Sequence, residues 1–375
     1  MSARSLRTDS SSGGGDCNGK EAANGSGVRC SADNPAVKWH YVSAWDVNNP
    51  LFKYDQYIAE KVGKATNGKF SIKVYAAGEM VPAFETFDSV SSGAFQAGST
   101  APAYQAGLNS AFTLFSTVPL YMSQQDFLNW LYQVDGLTQM NDILKRYKIV
   151  AFPNSIFDLE AGFRSHKEIK KVTDFKGMKI RIAPPESQEI LRRLGAAPTN
   201  VSGGELYDAM QRSIIDAFEF MTPNVDWDLG FQEVAKYWIA PAWYQTACVY
   251  YTLANADAWK ALPENYRVIF EEVTKGCVVE STSFMNWQSA VGTKKFLDYG
   301  VKVSKADEKF WSDMEVVAKK VMEDFASKNP DYAKTLKSQV DYLKTYNLWR
   351  ELEEPFHSGR ITKSLPEVKD AWLKK

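Results

Sequence analysis

The spacing of hydrophobic positions changes along the chain, and each change marks an element. Residues 38–43 read as a short strand, 70–75 alternate apolar and polar side chains as a half-buried strand does, and 94–99 reads as a third strand. Between the first two, Asp46-Val47-Asn48-Asn49-Pro50 opens a helix over 51–66, with Phe52, Asp55, Gln56 and Ala59 at helical spacing and Asn67-Gly68 as its stop. A loop at 78–80 leads into a helix over 84–91. This strand, helix, strand order predicts an α/β layer architecture with a mostly parallel sheet.

A second set begins at 149–153, continues through 162–165, and reaches a strand over 177–183. There Met178, Ile180 and Ile182 face one way and Lys179, Arg181 and Ala183 the other. The next helix has Pro185 near its start, Ile190, Leu191 and Leu194 on one face, and Gly195 as its stop. Ser202 with Glu205 three residues on reads as a capping box for the helix after it. The chain therefore holds two α/β units. Its C-terminal third is helical. Phe310, Met314, Val317, Val321 and Phe325 form one apolar stripe behind a Ser304 cap, and Tyr332, Leu336, Val340 and Leu343 form another, both of the kind that packs into a core.

Composition narrows the classes. The chain has 375 residues, 44 Lys and Arg against 45 Asp and Glu, and a formal charge of -1, which gives no basic field for nucleic acid or anionic lipid. Its richest apolar stretch, 239–254, is broken by Gln245 and Thr246 and is too short to span a membrane. Residues 1–35 are rich in Ser, Gly, Asn and Asp and read as a flexible leader without the apolar segment of a secretory signal. Cys17, Cys30, Cys248 and Cys277 form no CxxC pair and there are three histidines, so nothing in the sequence marks a zinc site of Cys and His ligands and any metal should be bound by oxygen.

Phosphate loops, dinucleotide fingerprints, nucleophile elbows and HExxH motifs are all missing from the sequence. Two charged positions stand out instead. Arg181 lies opposite the apolar face of its strand, near the strand's C-terminal end, where open α/β sheets place ligands. Its planar fork suits a carboxylate, and a surface arginine in a basic run is the alternative. Glu219, between Phe218 and Phe220, ends a strand over 215–220, and an ionised carboxylate there must reach water, a cation or a proton.

Over about 39–352 the chain resembles the substrate-binding proteins of TRAP transporters, the tripartite, ion-driven uptake systems of bacteria and archaea. The residues that carry the resemblance are DFKGMKIRIAP at 174–184, LGAAPTNVSGGELYDAMQRSIIDAFEF at 194–220 and EVAKYW at 233–238. Within that family it is most similar to the branch that binds 2-oxo and 2-hydroxy monocarboxylates with a metal ion. AAGEMVPAFETFDSVSSGAFQAGSTAPAYQAG at 76–107 and the turn MTPNVD at 221–226 support this.

The resemblance implies a two-lobed periplasmic-binding-protein fold with a ligand cleft between the lobes and a helical C-terminal region. Lobe I would comprise 36–157 and about 246–285, and lobe II 158–245 and about 286–375. It further implies that Arg181 clamps the substrate carboxylate, that Glu219 and the Phe220 carbonyl hold a bridging sodium or calcium ion, and that Tyr104, Trp45, Phe220 and Trp243 line the pocket. Asp158 stands where that branch has a metal-binding glutamine, and its extra negative charge would favour calcium. Charges would then alternate as Arg181, substrate, metal, Glu219. A periplasmic receptor, partnered by the membrane components of a TRAP transporter and by no nucleic acid, follows from the same resemblance. Some members of the branch pair as homodimers through their C-terminal helices. The competing reading from another class is a metal-dependent enzyme of small organic acids, a lyase for instance, using Glu219, Asp158 or Asp226.

Overall fold

Two mixed β-sheets carry the chain, and the strands that connect them are the ones that run against their neighbours. The computed structural model describes residues 34–353, Ser202 excepted, so the expected leader, apart from Asn34 and Pro35, and the Ser202 cap lie outside the described residues. The first sheet has the order Phe70–Tyr75, Val37–Ser43, Ala97–Thr100, Cys248–Asn255, Ile149–Phe157. Its first three strands are parallel, and Cys248–Asn255 is antiparallel to both flanking strands. The second has the order Lys302–Lys305, Tyr237–Ala240, Phe163–Ser165, Ala217–Phe218, Lys179–Arg181, Ala197–Thr199. There Phe163–Ser165 is antiparallel to both neighbours and the remaining pairs are parallel.

The expected parallel character therefore holds only in part, for a topological reason. Phe163–Ser165 arrives directly from Ile149–Phe157 of the first sheet, and Cys248–Asn255 arrives directly from Tyr237–Ala240 of the second. A strand entering from the other sheet has no crossover helix to turn it parallel. The first crossing needs Gly162: its φ is +105°, and a Cβ there would sit 2.1 Å from the Ile239 carbonyl oxygen.

The helices follow the apolar stripes. Pro50–Ala65 is capped by Asn49, whose side chain accepts from the Leu51 amide, and it buries Leu51, Ile58 and Val62. Pro185–Arg193 ends before Gly195 in the left-handed region and buries Ile190 and Leu191 against the second sheet. The cap of Glu308–Lys328 is Asp307, which accepts from the Phe310 amide, and not Ser304, which lies in the strand Lys302–Lys305. Before the helix start the chain adds the edge strand Lys302–Lys305 to the sheet.

The 36-residue helix Glu264–Tyr299 extends about 54 Å at 1.5 Å per residue and packs on Ile149–Phe157 at one end of its course and on Pro223–Asp228 at the other. The C-terminal helices also bridge the lobes. Glu308–Lys328 packs on Pro185–Arg193, while Pro330–Glu353 packs on the helices Phe112–Ser116, Gln124–Gln133 and Gly136–Leu144. Of its expected stripe Tyr332 is buried and Leu336, Val340 and Leu343 are half-buried, the rest of its covered face being Thr335, Gln339 and Tyr342. No helix among the described residues is long and apolar enough to cross a membrane.

Candidate ligand-binding site

Parallel register brings the two singled-out charges together. Arg181 pairs with Phe218 across the strands Lys179–Arg181 and Ala217–Phe218, and the next amide, that of Glu219, donates to the Arg181 carbonyl at 3.2 Å. Their side chains meet on the same wall. Arg181 Nη1 donates to Glu219 Oε1 at 2.8 Å and to the Glu219 carbonyl at 2.7 Å, and Nε donates to the Val201 carbonyl at 3.0 Å. The Ala183 amide donates to the same Oε1 at 2.6 Å. Arg181 is 5% exposed and Glu219 1%. The resemblance implied a ligand and an ion bridging these groups; in the structure their side chains also meet directly.

The pair opens on a cavity of about 230 Å³ between the two sheets. Trp45, Phe84, Ala101, Tyr104 and Tyr250 line it from the first lobe, and Arg181, Ala183, Val201, Gly203, Glu219 and Phe220 from the second, with Glu160 and Gln245 at the crossing segments. Trp45 stands edge-on to Tyr250, centroids 5.4 Å apart, and Tyr104 packs on Phe84 at 4.9 Å. Opposite them Phe220 lies under the Arg181 guanidinium at 5.5 Å. Gly203 is required beside it, since a Cβ there would come within 2.3 Å of the Phe220 ring.

A second carboxylate joins the first. Glu160 is 5% exposed, and its Oε1 accepts only a long bond, 3.5 Å, from the Cys248 thiol, while its buried Oε2 has no hydrogen-bond partner. Burial, and then the charge of Glu219, push the Glu160 carboxyl well above its ordinary range. Burial raises Glu219 too, against the pull of Arg181 and the Ala183 amide. The two carboxyls also interact directly, and the rise at Glu160 favours its protonated form beside Glu219.

Behind the wall sits a separate buried pair. Arg164 Nε donates to Asp226 Oδ2 at 3.1 Å, and the guanidinium lies between the rings of Trp238 and Phe296 at 3.8 and 3.9 Å. Asp226 Oδ1 accepts from the Met221 amide at 3.3 Å. That amide shares its peptide plane with the Phe220 carbonyl, so Asp226 sets which way this carbonyl points. Burial pushes Asp226 up to about 6 although Arg164 holds it down.

The structure thus brings together Arg181, Glu219, Phe220, Trp45 and Tyr104. It does not bring Asp158 or Trp243 to them. Asp158 is exposed and outside the cavity lining. Trp243 is buried in the second-lobe core against Phe163 and Tyr244, its ring turned to the sheet instead of the cleft. Asp226 is committed to Arg164 and the Met221 amide, so it is no free ligand. Sequence reasoning missed Glu160. Periodicity could not find it, because the segment after Phe157 buries the glutamate and exposes Leu159, the reverse of what hydropathy predicts.

Residues 41–329 match the family model DctP, bacterial extracellular solute-binding protein, family 7. The monocarboxylate 2-oxoacid-binding periplasmic protein of Nostoc sp. is 29% identical over 323 residues, 85% of this chain and 88% of that one. Among solved structures, a TRAP periplasmic solute binding protein of Pseudoalteromonas atlantica with bound sodium and pyruvate is similar at a TM-score of 0.82 and 28% identity, over 87% of this chain and 99% of that one. One from Colwellia psychrerythraea with bound calcium and pyruvate is similar at 0.81 and 29%, over 85% and 97%. The chain belongs to the DctP family, the solute-binding proteins of TRAP transporters, which are receptors and not enzymes. The two-lobed fold expected from the sequence is the fold of these relatives.

Proposed function

We propose that this receptor binds a small monocarboxylate with an oxygen on its second carbon, a 2-oxo or 2-hydroxy acid of the pyruvate and lactate class, together with a sodium or calcium ion. The observation that carries this reading is the buried Arg181–Glu219 pair at the wall of the inter-lobe cavity. The pyruvate and metal ions of the solved relatives support it.

Arg181 takes the ligand carboxylate. Its Nη1 and Nε are held by Glu219 and Val201, so the guanidinium keeps one orientation and loses little freedom when a ligand arrives. Opposite unit charges about 4 Å apart attract by about 4 kcal/mol at an effective dielectric near 20, and desolvation offsets much of that. Glu219 and the Phe220 carbonyl hold the ion. The donor set fits a hard cation: buried carboxylate oxygens, a carbonyl fixed through Asp226, and no thiolate or imidazole in the lining. When bound, the ion lets the ligand's carboxylate and second oxygen chelate it, which a plain fatty acid cannot do. Among the described residues no cluster of three or more His, Cys, Asp or Glu is placed to hold a metal by itself, in keeping with a site that the ligand completes.

Trp45, Tyr104 and Phe220 limit the ligand's side chain. Closure of the lobes about the crossing segments buries it, the usual transition of such receptors. We place the protein in the periplasm, delivering its ligand to the membrane components of a TRAP transporter. Pyruvate should raise the melting temperature of the wild-type protein and leave that of Arg181→Ala unmoved; an equal shift in both would overturn the clamp.

A further inference from the structure

The ligand cavity does not end the space between the lobes. A second cavity, of about 460 Å³, adjoins it, and the two share Asp46, Asn49, Gly203, Gly204 and Phe220 as a common wall. Pockets that hold drug-sized ligands measure roughly 300–1,000 Å³, so the inner cavity alone falls short of that range and the outer one does not. The common wall is low where the two glycines form it, since they bring only backbone. Gly203 receives the Phe220 ring, whereas a Cβ at Gly204 would meet no atom within 4 Å. Phe220 is held to its side of the wall by an edge-on contact with Phe231 at 6.1 Å. A way through between the cavities thus remains at Gly204.

We propose that the outer cavity is a side-chain subsite: the receptor takes 2-oxo acids with a long apolar tail in preference to pyruvate, the tail passing Gly204, and it rejects acids that carry a second carboxylate at the far end. The proposal rests on the metal-bridged carboxylate reading given above and names its ligand more closely.

The division of residues between the cavities sets the direction. Arg181 and Glu219 line the inner cavity and not the outer one, so the ligand's charged end belongs inside and its far end is what can reach out. Tyr54, Tyr57, Val225, Leu229 and Phe284 give the outer cavity an apolar lining. Leu229 and Phe284 stand 41% and 47% exposed, apolar surface that a tail would cover. Each methylene removed from water there is worth roughly fourfold in affinity. The charged residues of the same lining are Asp46, Asp228 and Glu280 against Lys53. A terminal carboxylate would therefore meet repulsion on top of its desolvation cost.

The test is calorimetric titration, with calcium chloride and sodium chloride both present, of pyruvate, 2-oxooctanoate and 2-oxooctanedioate into the wild type, Gly204→Leu and Phe284→Ala. 2-Oxooctanoate should bind the wild type about tenfold more tightly than pyruvate, and 2-oxooctanedioate about tenfold more weakly than 2-oxooctanoate. Gly204→Leu, whose side chain fills the way through, should abolish the gain from the tail, and Phe284→Ala should reduce it several-fold. Pyruvate should bind both variants as it binds the wild type, which also reports that they are folded. A wild type that prefers pyruvate, a tail gain untouched in both variants, or equal affinity for the two longer acids overturns the subsite while the metal-bridged site stands. Failure of pyruvate to bind the wild type overturns that reading, and this proposal with it.

Discussion

Removing the arginine of the buried pair should cost more than its hydrogen bonds. Arg181→Ala strips Glu219 Oε1 of one of its two donors and leaves the Val201 and Glu219 carbonyls without theirs. The larger effect is an uncompensated carboxylate at 1% exposure, and breaking a buried pair from one side costs about 3–5 kcal/mol. Arg181→Ala combined with Glu219→Gln removes the charge as well. It retains the lost carbonyl partners, at about 1–3 kcal/mol. The double variant should therefore be more stable than Arg181→Ala alone, by about 2 kcal/mol.

Urea titrations of the four proteins of the cycle measure this. The pH dependence supplies a second readout. A carboxyl whose folded pKa lies above its unfolded value binds a proton on folding, so its cost is complete above the folded pKa and vanishes as pH falls below the unfolded one. Burial already raises Glu219 and Arg181 opposes that rise, so Arg181→Ala should regain stability as pH is lowered from 8 to 5, more steeply than the double variant. A double variant no more stable than the single one, with parallel pH profiles, would refute the reasoning.

Two further outcomes follow from the same geometry. Gly203→Ala should displace the Phe220 ring, costing about 1–3 kcal/mol of stability and weakening pyruvate binding, and an unchanged affinity would show that the ring's position is immaterial. Asp55, buried beneath Tyr41 and Ser43, is pushed up to about 7 by burial, so it costs stability progressively as pH rises from about 4 to 7. Asp55→Asn should flatten the melting-temperature profile across that window, and identical slopes for both proteins would contradict this assignment.

How much of this was legible in the sequence depends on how local the signal is. The strand at 70–75 and the helix stop at Gly195 follow from period and backbone chemistry, and the structure keeps them. The alternation that set Arg181 opposite Ile180 and Ile182 is also kept, although Arg181 is buried too, because a second wall of the cleft covers that face. The direct contact of Arg181 with Glu219 was not legible, since it depends on which strands become neighbours and in what register. The same holds for Glu160, fixed by a crossing segment without periodicity, and for Trp243, whose aromatic character says nothing of which side of its segment faces the cleft. Asp158 lies only two residues from Glu160, and a loosely matched loop cannot tell them apart. The Asp307 cap escaped notice because a short edge strand stands between Ser304 and the helix.

The central claim is that a cation joins the ligand to Glu219 and Phe220. It is tested most directly by titrating pyruvate calorimetrically into protein stripped of metal, before and after calcium or sodium is restored. The account predicts little or no binding heat from the stripped protein and saturable binding once the ion returns. Equal affinity in rigorously metal-free and metal-replete samples would contradict it.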